Sequence, residues 1–106
     1  MREVLEFIKE NSIDLSEMGV NNFAMLKKDT LKLLDMLQEN DVLVYGGDFI
    51  EKKNGTLNYN YTNWSTNEKD IKHNVTYAKD FIEKYAKDDT YIEIVTDVDL
   101  YRLLNR

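Results

Sequence analysis

The chain has 106 residues, enough for one modest hydrophobic core. Its formal net charge is −6, and its charge and composition exclude several functional classes. With 42% hydrophobic and 32% charged residues it is too apolar for a disordered tail, so we expect residues 1–106 to form a single domain. The absence of cysteine excludes disulfides, thiolate nucleophiles and cysteine-ligated metals. Nucleic-acid binding needs clustered Lys and Arg, so the acidic charge argues against a nucleic-acid partner and suits a basic protein partner.

The N-terminal segment gives no sign of export or of membrane insertion. Glu6, Lys9 and Glu10 interrupt the apolar stretch that a signal peptide needs. No run approaches the roughly 18 apolar residues of a membrane span. We therefore expect a soluble cytoplasmic protein.

Two helices are predicted in the first 40 residues. Val4, Leu5 and Ile8 have helical spacing that stops near residues 11–12, and residues 27–40 carry a leucine stripe. Asn40 can adopt the left-handed conformation that ends such a helix. Between the helices, residues 13–20 are predicted to be irregular chain over apolar surface, and residues 23–26 a short extended lead-in.

The middle of the chain predicts three extended segments. Residues 42–45 form an apolar β-prone run that breaks at Gly46 and Gly47, and extended chain resumes at Phe49. Asn54 and Gly55 then separate this chain from an alternating strand over residues 57–61. Asn-Gly in that context predicts a hairpin with a type I′ turn.

The C-terminal third predicts a long helix, a strand and a final helical turn. Residues 65–68 match a capping box, and Val75, Ala78 and Ile82 mark the apolar face of the helix that follows. Residues 91–95 have β-branched and aromatic strand composition, and Asp97 or Asp99 can cap the last turn.

These elements predict an α+β fold with two layers: a small, mostly antiparallel sheet of three to four strands with helices packed on one face. Because a helix joins the hairpin to the last strand, that strand should run parallel to one strand of the hairpin.

The chemistry-bearing residues do not assemble into a recognisable catalytic or metal motif, so we expect no catalytic, cofactor-binding or metal-binding residues. Gly46, Gly47 and Asp48 match the start of the Gly-Gly-Asp-Glu-Phe signature of diguanylate cyclases, but Phe49 replaces its Glu. His73 has Asp70 nearby but no nucleophile to serve, so a solvated histidine is the simpler interpretation. Adjacent aspartates after the long helix suit turns rather than a calcium loop.

Tyr59, Tyr61 and Trp64 allow two interpretations. Packing beneath a helix is the simpler one, most of all for Tyr59 and Trp64. The other is an aromatic anchor for a protein partner, since Tyr and Trp dominate binding hot spots. Tyr61 suits either interpretation because tyrosine tolerates a half-exposed position.

Several of these pieces, in this order, resemble immunity protein family 40 of the bacterial polymorphic toxin systems. In that family a Leu-rich helix precedes a strand ending in Gly-Gly-Asp, then an Asn-Trp pair, a long helix and a β-rich strand. The matching stretches are residues 31–37, residues 45–48, Asn63 with Trp64, residues 81–85 and residues 91–95, so the resemblance covers roughly residues 20–96. The long helix of the family ends in Tyr-Ile-x-x-Tyr, and Phe81 stands here in place of the first Tyr.

The resemblance implies a cytoplasmic protein without catalysis that binds and blocks a cognate toxin, usually encoded beside it. From the acidic charge and the exposed aromatics we expect Asp48, Glu51 and Tyr61 to contact a basic toxin domain. The motif that carries the resemblance, and that we expect to be structural, comprises Gly46, Gly47, Asp48 and Trp64.

A second hypothesis is a small enzyme or nucleotide-sensing domain that uses Asp48 and His73. Clustering of these side chains in one pocket would favour it, and their dispersal would favour the binding protein.

Overall fold

The computed structural model describes residues 1–106 and combines four helices with one five-stranded sheet. The strand order is β1-β2-β5-β3-β4, and every neighbouring pair is antiparallel. This confirms the predicted α+β class, with five strands instead of three to four. In chain order the elements are α1 (Arg2–Asn11), β1 (Ser12–Asp14), a 3₁₀ turn (Ser16–Met18), β2 (Phe23–Leu26), α2 (Lys27–Glu39), β3 (Val44–Lys53), β4 (Thr56–Ser65), α3 (Ile71–Tyr85), β5 (Tyr91–Thr96) and α4 (Leu100–Leu104).

The helices cover one face of the sheet, where the main core lies. Phe49 from β3 meets the ring of Trp64 from β4 edge-on at 6.4 Å and that of Phe81 from α3 at 5.8 Å. Such edge-to-face contacts add to the area that the rings bury. Each helix contributes to the same apolar cluster, with Val4 and Ile8 from α1, Leu33, Leu34 and Leu37 from α2, Val75, Ala78 and Ile82 from α3, and Leu100 from α4.

Strands β1 and β2 are the main difference from the sequence prediction. The first lies in the segment predicted to be irregular, and the second is the predicted extended lead-in. They have only three and four residues, too few for an alternating pattern to show. They are strands because β2 pairs with β5 on one side and β1 on the other.

The predicted break at Gly46 and Gly47 is wrong, because β3 continues through both glycines. Neither has a positive φ. A Cβ on Gly47 would lie 2.6 Å from the Glu93 carbonyl oxygen and closer still to the Trp64 ring. The glycine pair therefore admits neighbouring atoms and does not turn the chain.

The hairpin prediction holds. Asn54 and Gly55 have φ of 52° and 79°, the left-handed values that a type I′ turn requires. Strand β5 runs in the same direction as β4, as the helical crossover predicts, but it lies two positions away and pairs with β3 and β2.

The predicted cap of the long helix is wrong. Ser65 is the last residue of β4, and the carboxylate of Asp70 caps α3 by accepting from the His73 amide at 3.0 Å. The end of α2 also differs, since Asn40 has φ of −97° and the left-handed residue is Asp41. At α4, Asp99 is the N-cap, one of the two predicted candidates.

The four helices lack the length and the apolar run that a membrane-spanning helix requires.

Candidate partner-binding face

The sheet surface opposite the helices, called the open face below, is covered only in part. Leu15 folds over one end of it and packs with Ala24 and Ile50 in a small second cluster. Beyond that cluster, Glu93, Asp48 and Asn63 are paired across β5, β3 and β4 and form one row of side chains. Residues paired across strands share a face, and Phe49 beside Asp48 points into the helix-side core. The row therefore lies on the open face.

Glu93 is a buried carboxylate on this face, only 6% exposed, and it accepts hydrogen bonds from two other side chains. Its Oε1 accepts from the Tyr59 hydroxyl at 2.7 Å, and its Oε2 accepts from the Asn22 side-chain amide at 3.0 Å. Burial, reinforced by Glu93 and then by the charge of Asp48, raises the pKa of Tyr59 well above its usual value. The phenol therefore stays protonated and keeps donating to the carboxylate.

Asp48 lies directly opposite Glu93 and is half-buried. Its carboxylate has no hydrogen bond and no ion pair within the chain, in contrast to Asp35, which pairs with Lys79 at 2.8 Å. Like charges on directly opposed strand positions are unfavourable. Asp48 is thus an acceptor without a partner beside a buried carboxylate.

Tyr61 lies on a β-bulge at the free edge of β4. Between the pairs Asp48–Asn63 and Ile50–Tyr59, β4 has three residues where β3 has one. Two neighbouring side chains hold the bulge: Asn60 Oδ1 accepts from the Thr62 amide at 2.9 Å, and Asn63 Nδ2 donates to the Tyr61 carbonyl at 3.1 Å. Tyr61 has φ of 68° and is 88% exposed. A bulky residue with positive φ is strained, and such outliers cluster at functional positions.

Glu51 is separated from Asp48. Strand β3 is regular between them, so the odd spacing places Glu51 on the helix side of the sheet. It accepts from Asn60 Nδ2 at 3.3 Å and lies 3.4 Å from Lys53 Nζ. The hydrogen bond from Asn60, followed by the contact with Lys53, lowers the pKa of Glu51. Glu51 therefore contacts the bulge through Asn60, from the helix side of the sheet.

Asp48 and His73 are not brought together. His73 lies on α3, in the helix layer on the other side of the sheet, with its Nδ1 atom 3.3 Å from Asp70 and the side chain 74% exposed. No group of three or more His, Cys, Asp or Glu side chains is arranged to hold a metal ion. Trp64 is buried against α3, and its Nε1 has no hydrogen-bond partner.

Sequence reasoning missed Glu93, Asn22 and the asparagines of the bulge. A single Glu between Ile92 and Ile94 in an apolar strand is a signal that could have identified Glu93, since a buried carboxylate needs dedicated donors. The bulge has no comparable local signal.

A family model described as Immunity protein 40 matches residues 14–96, which span all but the first residues of the sheet together with α2 and α3. The chain belongs to the immunity protein 40 family. The match confirms the resemblance drawn from the Gly-Gly-Asp and Asn-Trp motifs. The chain has no match among the curated proteins or among the solved structures. As a member of the family it is an immunity protein with a toxin for a partner, and membership favours an inhibitor over an enzyme.

Proposed function

We propose that this immunity protein acts in the cytoplasm and neutralises its cognate toxin by direct binding through the open face and the neighbouring bulge. The observation that carries the proposal is Tyr61, a strained and almost fully exposed aromatic side chain. Glycine or asparagine would fit the same backbone with less strain, so stability does not account for tyrosine there. Tyrosine is a typical hot-spot residue because its large rigid ring loses little entropy on binding.

The surroundings of Tyr61 suit an interface. Asn63 donates to the Tyr61 carbonyl and is paired with Asp48 across β3 and β4, and Glu51 supports the bulge through Asn60. In this proposal Asp48 and Tyr61 contact the toxin, whereas Glu51 positions the bulge. A central aromatic anchor with a polar rim is the usual organisation of a protein interface.

Net charge indicates the character of the partner. A protein with a charge of −6 repels acidic partners and attracts basic ones. We therefore propose a basic toxin domain, for which the complementary field would mainly speed association.

The enzymatic alternative has less support. Asp48 and His73 lie in different layers, so no single pocket contains both, and the exposed His73 interacts with its own helix cap. A general base must reach the proton that it abstracts, and no nucleophile accompanies this histidine. The proposed function therefore has no catalytic step.

The proposal is tested with Tyr61→Ala in a binding assay against the product of the neighbouring gene. Loss of a hot-spot tyrosine costs about 2 kcal/mol or more, so we expect the Kd to rise at least ~30-fold. Tyr77→Ala is the matched control, since Tyr77 is an exposed tyrosine on α3 in the opposite layer, and its Kd should not change. His73→Ala should still protect cells that produce the toxin. An unchanged Kd for Tyr61→Ala would overturn the proposed site.

Tyr61→Asn separates binding from folding. Asparagine tolerates positive φ better than tyrosine, so this variant should melt at the same temperature or higher while binding more weakly. A variant that loses stability and binding together would instead indicate a structural role for the ring.

A further inference from the structure

We infer that Asp48 accepts an arginine side chain of the toxin, seated in the depression between Asp48 and Tyr45. The inference rests on the proposed function, since it assumes that the open face binds the toxin, and it adds the chemistry of the anchoring group.

The depression lies over Gly46, which shares the open face with Asp48 and places no side chain there, so the backbone itself forms the floor. Gly47 faces the helix side, toward Trp64. The hollow has a volume of about 280 Å³, and Asn63 and Val95 are among the other residues that line it. It is wide and shallow, which suits the end of one flat side chain better than a buried small molecule.

The charge of this surface is not balanced within the chain. Asp48 and Glu93 lie opposite each other, and no Lys, Arg or His lies within ion-pair distance of either carboxylate. Lys69 is close to the rim, but its Nζ lies over the Tyr45 ring at 5.5 Å from the ring centroid. Glu93 already accepts from Tyr59 and Asn22, so Asp48 is the free acceptor for a cation brought by the partner.

The rim favours arginine over lysine. A guanidinium is planar, bonds a carboxylate through two parallel N–H groups and stacks on aromatic rings. Asp48 offers the carboxylate, and Tyr45 and Asn63 line the same depression beside it. A lysine ammonium would satisfy the charge and could lie over the ring, as Lys69 does, but it lacks the two parallel N–H groups that match a carboxylate.

Asp48→Asn tests the inference in the full-length protein with the product of the neighbouring gene as probe. We expect its Kd to rise about 10- to 100-fold, mainly through faster dissociation, since a charged hydrogen-bonded pair is lost. Asp80→Asn removes an exposed carboxylate on α3 and should change the Kd less than threefold. Free Asp48→Asn should melt at the same or a higher temperature, because the repulsion from Glu93 is removed.

Replacing each surface arginine of the toxin by lysine then identifies the partner group. One such variant should bind the unmodified immunity protein at least ~10-fold more weakly and should bind Asp48→Asn with no further loss, as a coupled pair requires. If Asp48→Asn binds normally while Tyr61→Ala does not, the inference fails and the proposed interface stands. If both bind normally, both fail. If every arginine tolerates lysine, the assignment of arginine is wrong.

Discussion

At the scale of single residues, Gly46 and Gly47 separate what sequence can show from what it cannot. A glycine pair between apolar runs suggests a turn, since glycine is the residue most often used where the chain must bend. Here both glycines lie inside β3, where they admit the Trp64 ring and the Glu93 backbone. The need for glycine was predictable, but its reason depends on atoms from two other strands.

Gly47→Val should therefore destabilise the fold by more than ~1 kcal/mol, because an added side chain meets a buried ring and a backbone carbonyl. Thermal or urea unfolding gives the measurement. Gly55→Asn is the control: Gly55 has positive φ but open space around it, and asparagine tolerates that φ, so its loss should be smaller. A melt unchanged by Gly47→Val would show that the ring moves aside without cost.

Tyr59 makes the folding stability of the protein depend on pH in the alkaline range. Its pKa is raised in the folded state, first by burial and then by Glu93. The corresponding stability is present below about pH 10, the usual tyrosine value, and is lost as pH rises further, because only the unfolded chain releases the proton there.

Tyr59→Phe should flatten the fall in unfolding free energy above about pH 10. At neutral pH it should cost about 1–3 kcal/mol, since Glu93 loses a donor. Urea unfolding across this pH range measures both effects, with Tyr77→Phe as the control for loss of a hydroxyl. An equally steep decline in Tyr59→Phe would exclude Tyr59 as its source.

At the scale of elements, local signals were predicted well and non-local ones were not. The type I′ turn depends on two adjacent residues, and α2 and α3 depend on periodicity within one segment, so all three were found. Strands β1 and β2 depend on pairing with distant chain, and the bulge at Tyr61 on a mismatch in length between β3 and β4. Neither dependence is visible in a short window of sequence.

Asn74 joins two of these elements and gives a strong test of the packing. This fully buried side chain on α3 accepts from the Val44 amide at 3.0 Å and donates to the Val44 carbonyl at 2.9 Å. It therefore bonds the first residue of β3 as a neighbouring strand would. A third bond, to the Glu68 carbonyl at 3.1 Å, fixes the chain before α3.

Asn74→Ala should reduce stability by about 2–4 kcal/mol, because it leaves two backbone groups of Val44 buried without partners. Asn67→Ala, at an exposed position in the irregular chain before α3, should change stability by less than about 0.5 kcal/mol. Chemical denaturation compares the two variants. Similar midpoints for both would mean that Val44 finds other partners.

At the scale of the whole molecule, the family was recognisable from sequence, whereas the arrangement of the site was only partly so. The order of the Gly-Gly-Asp and Asn-Trp motifs can be read from the sequence without knowing how the strands pair, and the family match over residues 14–96 agrees with it. The expected set of Asp48, Glu51 and Tyr61 divides between two faces once β3 is one continuous strand. Glu93, which sets the charge around Asp48, comes from β5, more than forty residues along the chain.

The net charge of −6 leads to a prediction about the kinetics of the complex. If the toxin domain is basic, the association rate should fall at least ~10-fold between 10 mM and 1 M salt, as the Debye length shrinks from about 30 Å to about 3 Å. Dissociation should change much less, because the contacts that resist it are desolvated. Stopped-flow mixing with the product of the neighbouring gene measures both rates.

Two variants with the same change in net charge show where the steering field originates. Asp48→Asn removes one negative charge from the open face, and Glu39→Gln removes one from the exposed end of α2 in the helix layer. Only Asp48→Asn should clearly reduce the salt dependence, because local fields dominate within a Debye length. An association rate that stays flat from low to high salt would show that the acidic surface does not steer the encounter, and the open face would then be the wrong site. Equal effects of the two variants would assign the steering to net charge alone.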